Sequence, residues 1–168
     1  MNSFTVRPLA AAEWESFRRL RLTALETSPG VFSGAYEGAI KRPDDAWRSL
    51  VSGPGHQVFG LFGGRNLVGI TGVFASKEDP TGETAMLAMS YISVEFRGLG
   101  LSRLLYEARL DWIKAHGQFT RVLVSHRESN EVSRRANQRH GFVLTHKKER
   151  KWPDGATETE VFYELKLK

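Results

Sequence analysis

The stretch from residue 84 to residue 115 constrains this chain more than any other. A strand-like run at 84–94 leads into Arg97-Gly98-Leu99-Gly100-Leu101-Ser102, which opens a helix with Leu101, Leu104, Leu105, Ala108 and Trp112 on one face. Gly117 sits just past its end, where a helix commonly terminates on glycine. The two glycines let the backbone turn tightly and keep side chains away from a close-approaching ligand. The first amides of a helix lack internal partners, and the helix dipole is positive there. The turn therefore suits an anion such as a pyrophosphate, with Arg97 and Arg103 placed to add charge. Taken alone, it equally suits a tight turn into a packed helix.

The flanking pattern narrows the fold. Residues 4–8 read as a short strand. Residues 11–27 carry Trp14, Phe17, Leu20, Ala24 and Leu25 at helical spacing until Ser28-Pro29-Gly30 stops the pattern. A second helix begins near Pro43-Asp44-Asp45 and ends before Gly53-Pro54-Gly55. Strands at 57–62 and 67–75 flank Gly63-Gly64-Arg65-Asn66 as a hairpin, and 77–83 is a polar loop. A buried strand at 120–126 precedes a short helix at 130–140. A closing hairpin joins 142–152 to 159–167 through Pro153-Asp154-Gly155. In its last strand Val161, Tyr163, Leu165 and Leu167 alternate with Phe162, Glu164 and Lys166, the period of a half-buried strand. There is no internal repeat or low-complexity linker, so residues 1–168 read as one domain. The order implies a mixed α/β (α+β) fold. Its sheet is mostly antiparallel, with one parallel pair across the helical crossover.

Composition excludes several function classes. At 168 residues, 40% apolar and 26% charged, the chain can bury a real core and is not expected to be disordered. No stretch approaches the roughly 18 apolar residues of a membrane span. The start, MNSFTVRPL, lacks the basic and apolar regions of a secretory signal, which makes the cytoplasm the default location. With no cysteine there is no disulfide, thiolate metal site or cysteine nucleophile. The five histidines are scattered without metal-ligand spacing, so no metal is expected. A net charge of +5 suits a polyanionic ligand. The basic residues are dispersed, with Lys147-Lys148-Glu149-Arg150-Lys151 the densest run, and nucleic acid is not expected as a partner.

Three segments, in order and at matching spacing, resemble the GNAT superfamily of N-acetyltransferases. SYISVEFRGLGLSRLL is similar to its motif A, a strand leading into a glycine turn. NEVSRRANQRHGF is similar to its motif B through Asn130, Ser133, Gly141 and Phe142. RLRLTALETSPGVF is similar to a common entry segment through Arg21, Ala24, Leu25, Pro29 and Phe32. The third glycine of a dinucleotide-binding fingerprint is missing, and the surrounding strands form hairpins instead.

The resemblance implies a GNAT fold whose sheet splays between two adjacent parallel strands, with helices on both faces. It implies acetyl-CoA as co-substrate. The pyrophosphate would lie on Arg97, Gly98, Leu99, Gly100, Leu101, Ser102 and Arg103. The pantetheine arm would bond backbone near Ile92 and Val94, with Asn130 beside it, while Ser102 and Ser133 suit phosphate binding or simply capping and filling. A backbone N–H of that strand would polarise the thioester carbonyl. A primary amine, on a small molecule or a peptide, would attack directly in a ternary complex. The acceptor pocket would be lined by the first two helices and the last hairpin. Homodimers are common in the family.

The chain also departs from the family pattern. Glu95 replaces a Gln or Arg and is expected to point away from the anion. Ala88 and Met89 stand where a strand carboxylate is frequent. Asn137 replaces the motif B tyrosine. It can donate a hydrogen bond to a thiolate but not a proton near neutral pH, and its plain reading is an exposed helix residue. His126 and Tyr91 are the remaining catalytic candidates. Their plain readings are a histidine satisfied by a carbonyl or by Glu128, and a sheet-packing tyrosine. Asn130 also suits a helix cap. These departures keep open a non-catalytic acyl-CoA-binding sensor.

Overall fold

Hairpins build most of the sheet in the computed structural model, which describes residues 3–168. Strands β3 (His56–Gly63) and β4 (Asn66–Ala75) pair antiparallel across a turn in which Gly64 takes φ +62°, a conformation glycine adopts freely. β1 (Phe4–Pro8) pairs with the outer side of β3, and the two-residue β2 (Ser52–Gly53) pairs with its start. β5 (Thr84–Ile92) pairs antiparallel with β4. Helix α4 (Ser102–Ala115) then crosses over to β6 (Arg121–Arg127), which runs parallel to β5. β7 (Val143–Lys151) and β8 (Thr157–Lys166) form the closing hairpin, with β8 inserted between β6 and β7. The order is β1-β3-β4-β5-β6-β8-β7, and β5–β6 is the one parallel contact among the described residues.

Helices α1 (Trp14–Thr27), α2 (Tyr36–Ile40) and α3 (Asp44–Val51) cover one face. Phe17, Leu25, Trp47, Val58, Ile70 and Tyr91 form its core. Trp47 is wholly buried and meets Phe17 edge to face, with ring centroids 5.7 Å apart. Helices α4 and α5 (Glu131–Arg139) cover the other face, where Tyr106, Ile113 and Phe142 pack on Val73, Leu87, Val122 and Tyr163. β7 lies at the sheet edge and is almost entirely exposed, so its basic run is a solvated strand. Edge lysines of this kind oppose strand-to-strand aggregation.

Three boundaries differ from the sequence expectation. The helix expected at 11–27 opens as a 3-10 turn over Ala11–Glu13 before α1. The Glu13 carboxylate accepts the Ala10 N–H at 2.8 Å and the Arg7 guanidinium at 2.7 Å, which tightens that first turn. Five-residue α2 is too short to show a periodicity. The strand expected to reach residue 94 stops at Ile92, because Val94–Phe96 curl into a 3-10 turn closed by Phe96 N–H donating to Ser93 O at 2.9 Å.

The Glu13 ion pair gives an acid-stability prediction. Its hydrogen bonds with Arg7 and Ala10 hold the carboxyl at about 2, well below the ordinary 4.5. A depressed folded pKa stabilises above the unfolded value, and that contribution disappears as pH falls through the folded one. Glu13→Gln is therefore expected to lower Tm by a constant amount above about pH 4.5 and by progressively less as pH falls toward about 2. Thermal melts of both proteins across this range check it. A gap unchanged at pH 2 would contradict it.

Candidate active site

β5 and β6 separate after a short contact. Their pairing covers Thr84↔Arg121, Ala85↔Val122 and Met86↔Leu123. From Leu87 to Ile92, β5 has β4 on one side and no strand on the other. One edge of its backbone amides and carbonyls thus faces a wedge rather than a ladder. Buried backbone groups are nearly always paired, so such an edge is a docking strip for an extended ligand.

A bulge opens the wedge. Ile70 pairs with Tyr91 and Gly72 with Ala88, so Thr71 alone opposes both Met89 and Ser90. Met89 takes φ +62°, and the Thr71 and Ser90 hydroxyls hydrogen-bond at 2.7 Å across the irregularity. The extra residue bends the strand and flips its alternation. Ala85 and Leu87 pack toward α4, whereas Met89 and Tyr91 pack toward α1. Nothing in the residue types announced this bulge, since methionine is not a residue that favours positive φ.

The glycine turn lies at the mouth of the wedge and is open. Gly98 and Gly100 take φ +77° and +74°, and a Cβ at either position would meet nothing within 4 Å. No main-chain carbonyl or side chain among the described residues accepts from the six consecutive amides of Gly98 to Arg103. Leu99 is 59% exposed, and Ser102 begins α4. An anion can reach these N–H groups directly, and the α4 dipole favours it. The cationic side chains turn elsewhere. Arg97 Nε donates to Ile92 O at 2.8 Å and its guanidinium lies over the Tyr91 ring, while Arg103 pairs with Glu107 at 2.6 Å. Glu95 is exposed. Val94, expected on the strand, is 65% exposed on the 3-10 turn, and its carbonyl accepts the Arg97 N–H. Ile92 remains at the end of β5.

The three catalytic candidates are all buried, but they are not gathered at one point. Tyr91 packs in the α1-side core, as a sheet-packing residue does. His126 is on the opposite face. Its Nδ1 lies 2.7 Å from Arg127 O, which can only accept, so Nδ1 carries the proton. Nε2 then accepts from the Tyr163 hydroxyl at 3.1 Å. Both ring nitrogens are occupied in the neutral form.

Asn137 is only 1% exposed, which corrects its reading as an exposed helix residue. Its side chain is drawn inward because α5 turns that face onto α4. There the Tyr106 hydroxyl donates to Asn137 Oδ1, while Nδ2 is buried with no partner. Burial pushes the Tyr106 hydroxyl pKa up, so the phenol keeps its proton. Tyr106 lies outside the apolar positions that periodicity marks on this helix, so nothing in the sequence singled it out. Asn130 caps α5 by accepting the Ser133 N–H at 3.1 Å.

Beyond β6, the α1–α2 loop and the last hairpin meet. Arg127, at the end of β6, donates to Gly30 O at 3.1 Å and to Asp154 Oδ2 at 2.6 Å, and it pairs with Glu158. The Arg127 hydrogen bond holds the Asp154 carboxyl below its usual range. Gly30 has φ +85°, and a Cβ there would collide with both Arg127 and Asp154. One guanidinium thus joins the three elements around the α1 side of the wedge. Among the described residues no group of histidines and carboxylates is placed to hold a metal, and no helix is long and apolar enough to cross a membrane.

A family model described as the acetyltransferase (GNAT) family matches residues 14–142. The fold is similar to that of an acetyltransferase of the GNAT family from Streptococcus pneumoniae. Identity is 17%, coverage is 98% of this chain and 100% of that one, and the TM-score is 0.84. It is similar to a putative acetyltransferase from Salmonella typhimurium solved with its cofactor acetyl-CoA. Identity there is 17%, coverage 99% and 95%, and TM-score 0.83. An N-acetyltransferase from Staphylococcus aureus Mu50 gives 18% identity, 99% coverage of each chain and a TM-score of 0.83. No curated protein matches the chain.

Proposed function

This chain belongs to the acetyltransferase (GNAT) family, and we propose that it moves the acetyl group of acetyl-CoA onto a primary amine by direct attack in a ternary complex. The observation that carries this reading is the run of free amides from Gly98 to Arg103 at the mouth of a wedge with one unpaired strand edge. Acetyl-CoA supplies the activated acyl group as a thioester. The Gly98–Arg103 amides hold its pyrophosphate, and main-chain dipoles rather than side-chain cations provide most of the attraction. The free edge of β5 pairs with the amide-bearing pantetheine arm, as an added strand would. An N–H of that edge polarises the thioester carbonyl. Asn137 Nδ2–H, buried and unpartnered, is the donor offered to the leaving thiolate. The amine enters from the α1 side of the wedge.

No carboxylate stands on β5, and His126 is engaged at both nitrogens. In this reading the amine attacks from its small unprotonated fraction, and the enzyme contributes chiefly by holding the two reactants together. The logarithm of kcat/KM should then rise about one unit per pH unit up to the acceptor's own pKa, roughly 10 for an alkyl amine. His126→Gln should keep that profile. A break in the profile that vanishes in the variant would assign proton transfer to His126 instead.

The test of the function is initial-rate kinetics with acetyl-CoA and an amine panel, following thiol release. Intersecting double-reciprocal lines are expected. Parallel lines would indicate a covalent enzyme intermediate and contradict direct attack. Tight coenzyme A binding without turnover on any amine would support the sensor reading.

A further inference from the structure

We propose that the acceptor amine also carries a carboxylate, and that Arg21, with Arg42 beside it, receives this group on the α1 wall of the wedge. The inference rests on the amine-acceptor reading above and names the acceptor's chemical class. Its basis is a surplus of donors that the fold does not use. Arg21 Nη1, Arg18 Nε and Trp47 Nε1 are all buried without a hydrogen-bond partner. The Arg21 guanidinium lies 4.6 Å from the Phe32 ring, and the Arg42 guanidinium lies 5.0 Å from the Trp47 ring. None of Arg18, Arg21 and Arg42 forms an ion pair among the described residues.

Such an arrangement is costly to the free protein. A buried donor left unpaired pays its desolvation penalty with nothing in return. Two guanidiniums brought together without a carboxylate also repel. Burial, with the nearby charge of Arg42, lowers the Arg21 pKa to about 10, which still leaves it charged at neutral pH. A fold under no other demand places a carboxylate there, as it does for Arg127 with Asp154 and Glu158. An acceptor-rich ligand group completes the cluster instead.

The location fits the acceptor side. Phe32, on which Arg21 stacks, packs into the same core as Met89 and Tyr91, the two β5 residues that the bulge turns toward α1. The Gly30 loop that Arg127 fastens leads directly into Phe32. A carboxylate fixed at Arg21 would therefore anchor the acceptor along the wall that leads to the wedge, remote from the pyrophosphate turn. Arginine is suited to this task because its planar fork matches a carboxylate in two hydrogen bonds.

The experiment uses the full chain and compares the standard α-amino acids with their α-amides as acceptors, in the wild type and in Arg21→Met. The best amino acid is expected to exceed its amide about tenfold or more in kcat/KM, and the variant should bring that ratio close to one by raising the acceptor KM. Acetyl-CoA affinity should stay unchanged. A second readout does not need turnover: millimolar N-acetyl-α-amino acids should raise Tm of the wild type but not of Arg21→Met. Without ligand, the variant should melt no lower than the wild type, because it removes an unpaired buried donor. Equal use of acid and amide, or thermal protection retained in Arg21→Met, would overturn the inference while leaving acetyl transfer standing. Carboxylate protection that depends on Arg21, with no amine acetylated, would uphold this site and sink the amine-transfer reading.

Discussion

Replacing Gly98 by valine is expected to abolish coenzyme A binding, raising Kd at least about a hundredfold, while the chain stays folded. Two effects combine. The backbone at this position has φ +77°, which a β-branched residue scarcely adopts, so the turn must rearrange. The new side chain would also stand at the amides proposed to receive the pyrophosphate. The fold survives because a Cβ at Gly98 meets nothing within 4 Å, and the strain of one residue costs only about 1 to 2 kcal/mol. Gly100→Val should behave alike, for the same reasons. Gly82→Val is the control. It imposes the same strain at φ +74° in open space, but on the loop before β5, and coenzyme A affinity should not change. Isothermal titration of the three variants decides the matter. Retained affinity in Gly98→Val would remove the turn from the binding site.

The largest stability effect is expected from Trp47→Ala. Trp47 is wholly buried between α1 and α3, where it meets Phe17 edge to face. Truncating a buried tryptophan costs about 3 to 5 kcal/mol in lost transfer energy and cavity. At about 2 to 4 °C per kcal/mol for a chain of this size, Tm should fall by about 6 to 20 °C. Trp47→Phe should cost less than about 1.5 kcal/mol, because it keeps most of the ring and discards an indole N–H that has no partner. Both variants should still bind coenzyme A below their melting temperatures, since the proposed pyrophosphate turn opens α4, away from the α1–α3 core. Denaturation melts with and without coenzyme A measure each quantity. A loss under about 1 kcal/mol in Trp47→Ala would mean that the α1–α3 contact contributes little to the core.

These predictions draw on features of unequal visibility in the sequence. Hairpins, helices and the strand–glycine–helix turn were legible because each has its own periodicity or turn chemistry. β3, β4 and β8 are plain examples. The parallel placement of β6 beside β5 followed from a helical crossover too long for a hairpin. The cause of the splay was not legible, because a bulge at Met89 depends on register against β4 rather than on a local residue signal. For Asn137, a catalytic candidate whose plain reading is an exposed helix residue, polarity argues for solvent, and the hydroxyl of Tyr106, 31 residues away, accounts for its burial. Arg127 is silent in sequence, and Arg21 stands out only as a match to the entry segment. One is fully paired and the other unpaired, and only packing distinguishes them. Side chains that act through long-range partners are invisible to periodicity. Backbone sites such as the glycine turn are visible because the residue types encode the backbone itself.

Amide-resolved NMR titration of the full chain with coenzyme A tests the central claim most directly. The largest shifts are expected on the N–H groups of Gly98 to Arg103, and next on Leu87 to Ile92 along the free edge of β5. Binding that leaves those amides unmoved, or moves only the α1 face, would contradict it.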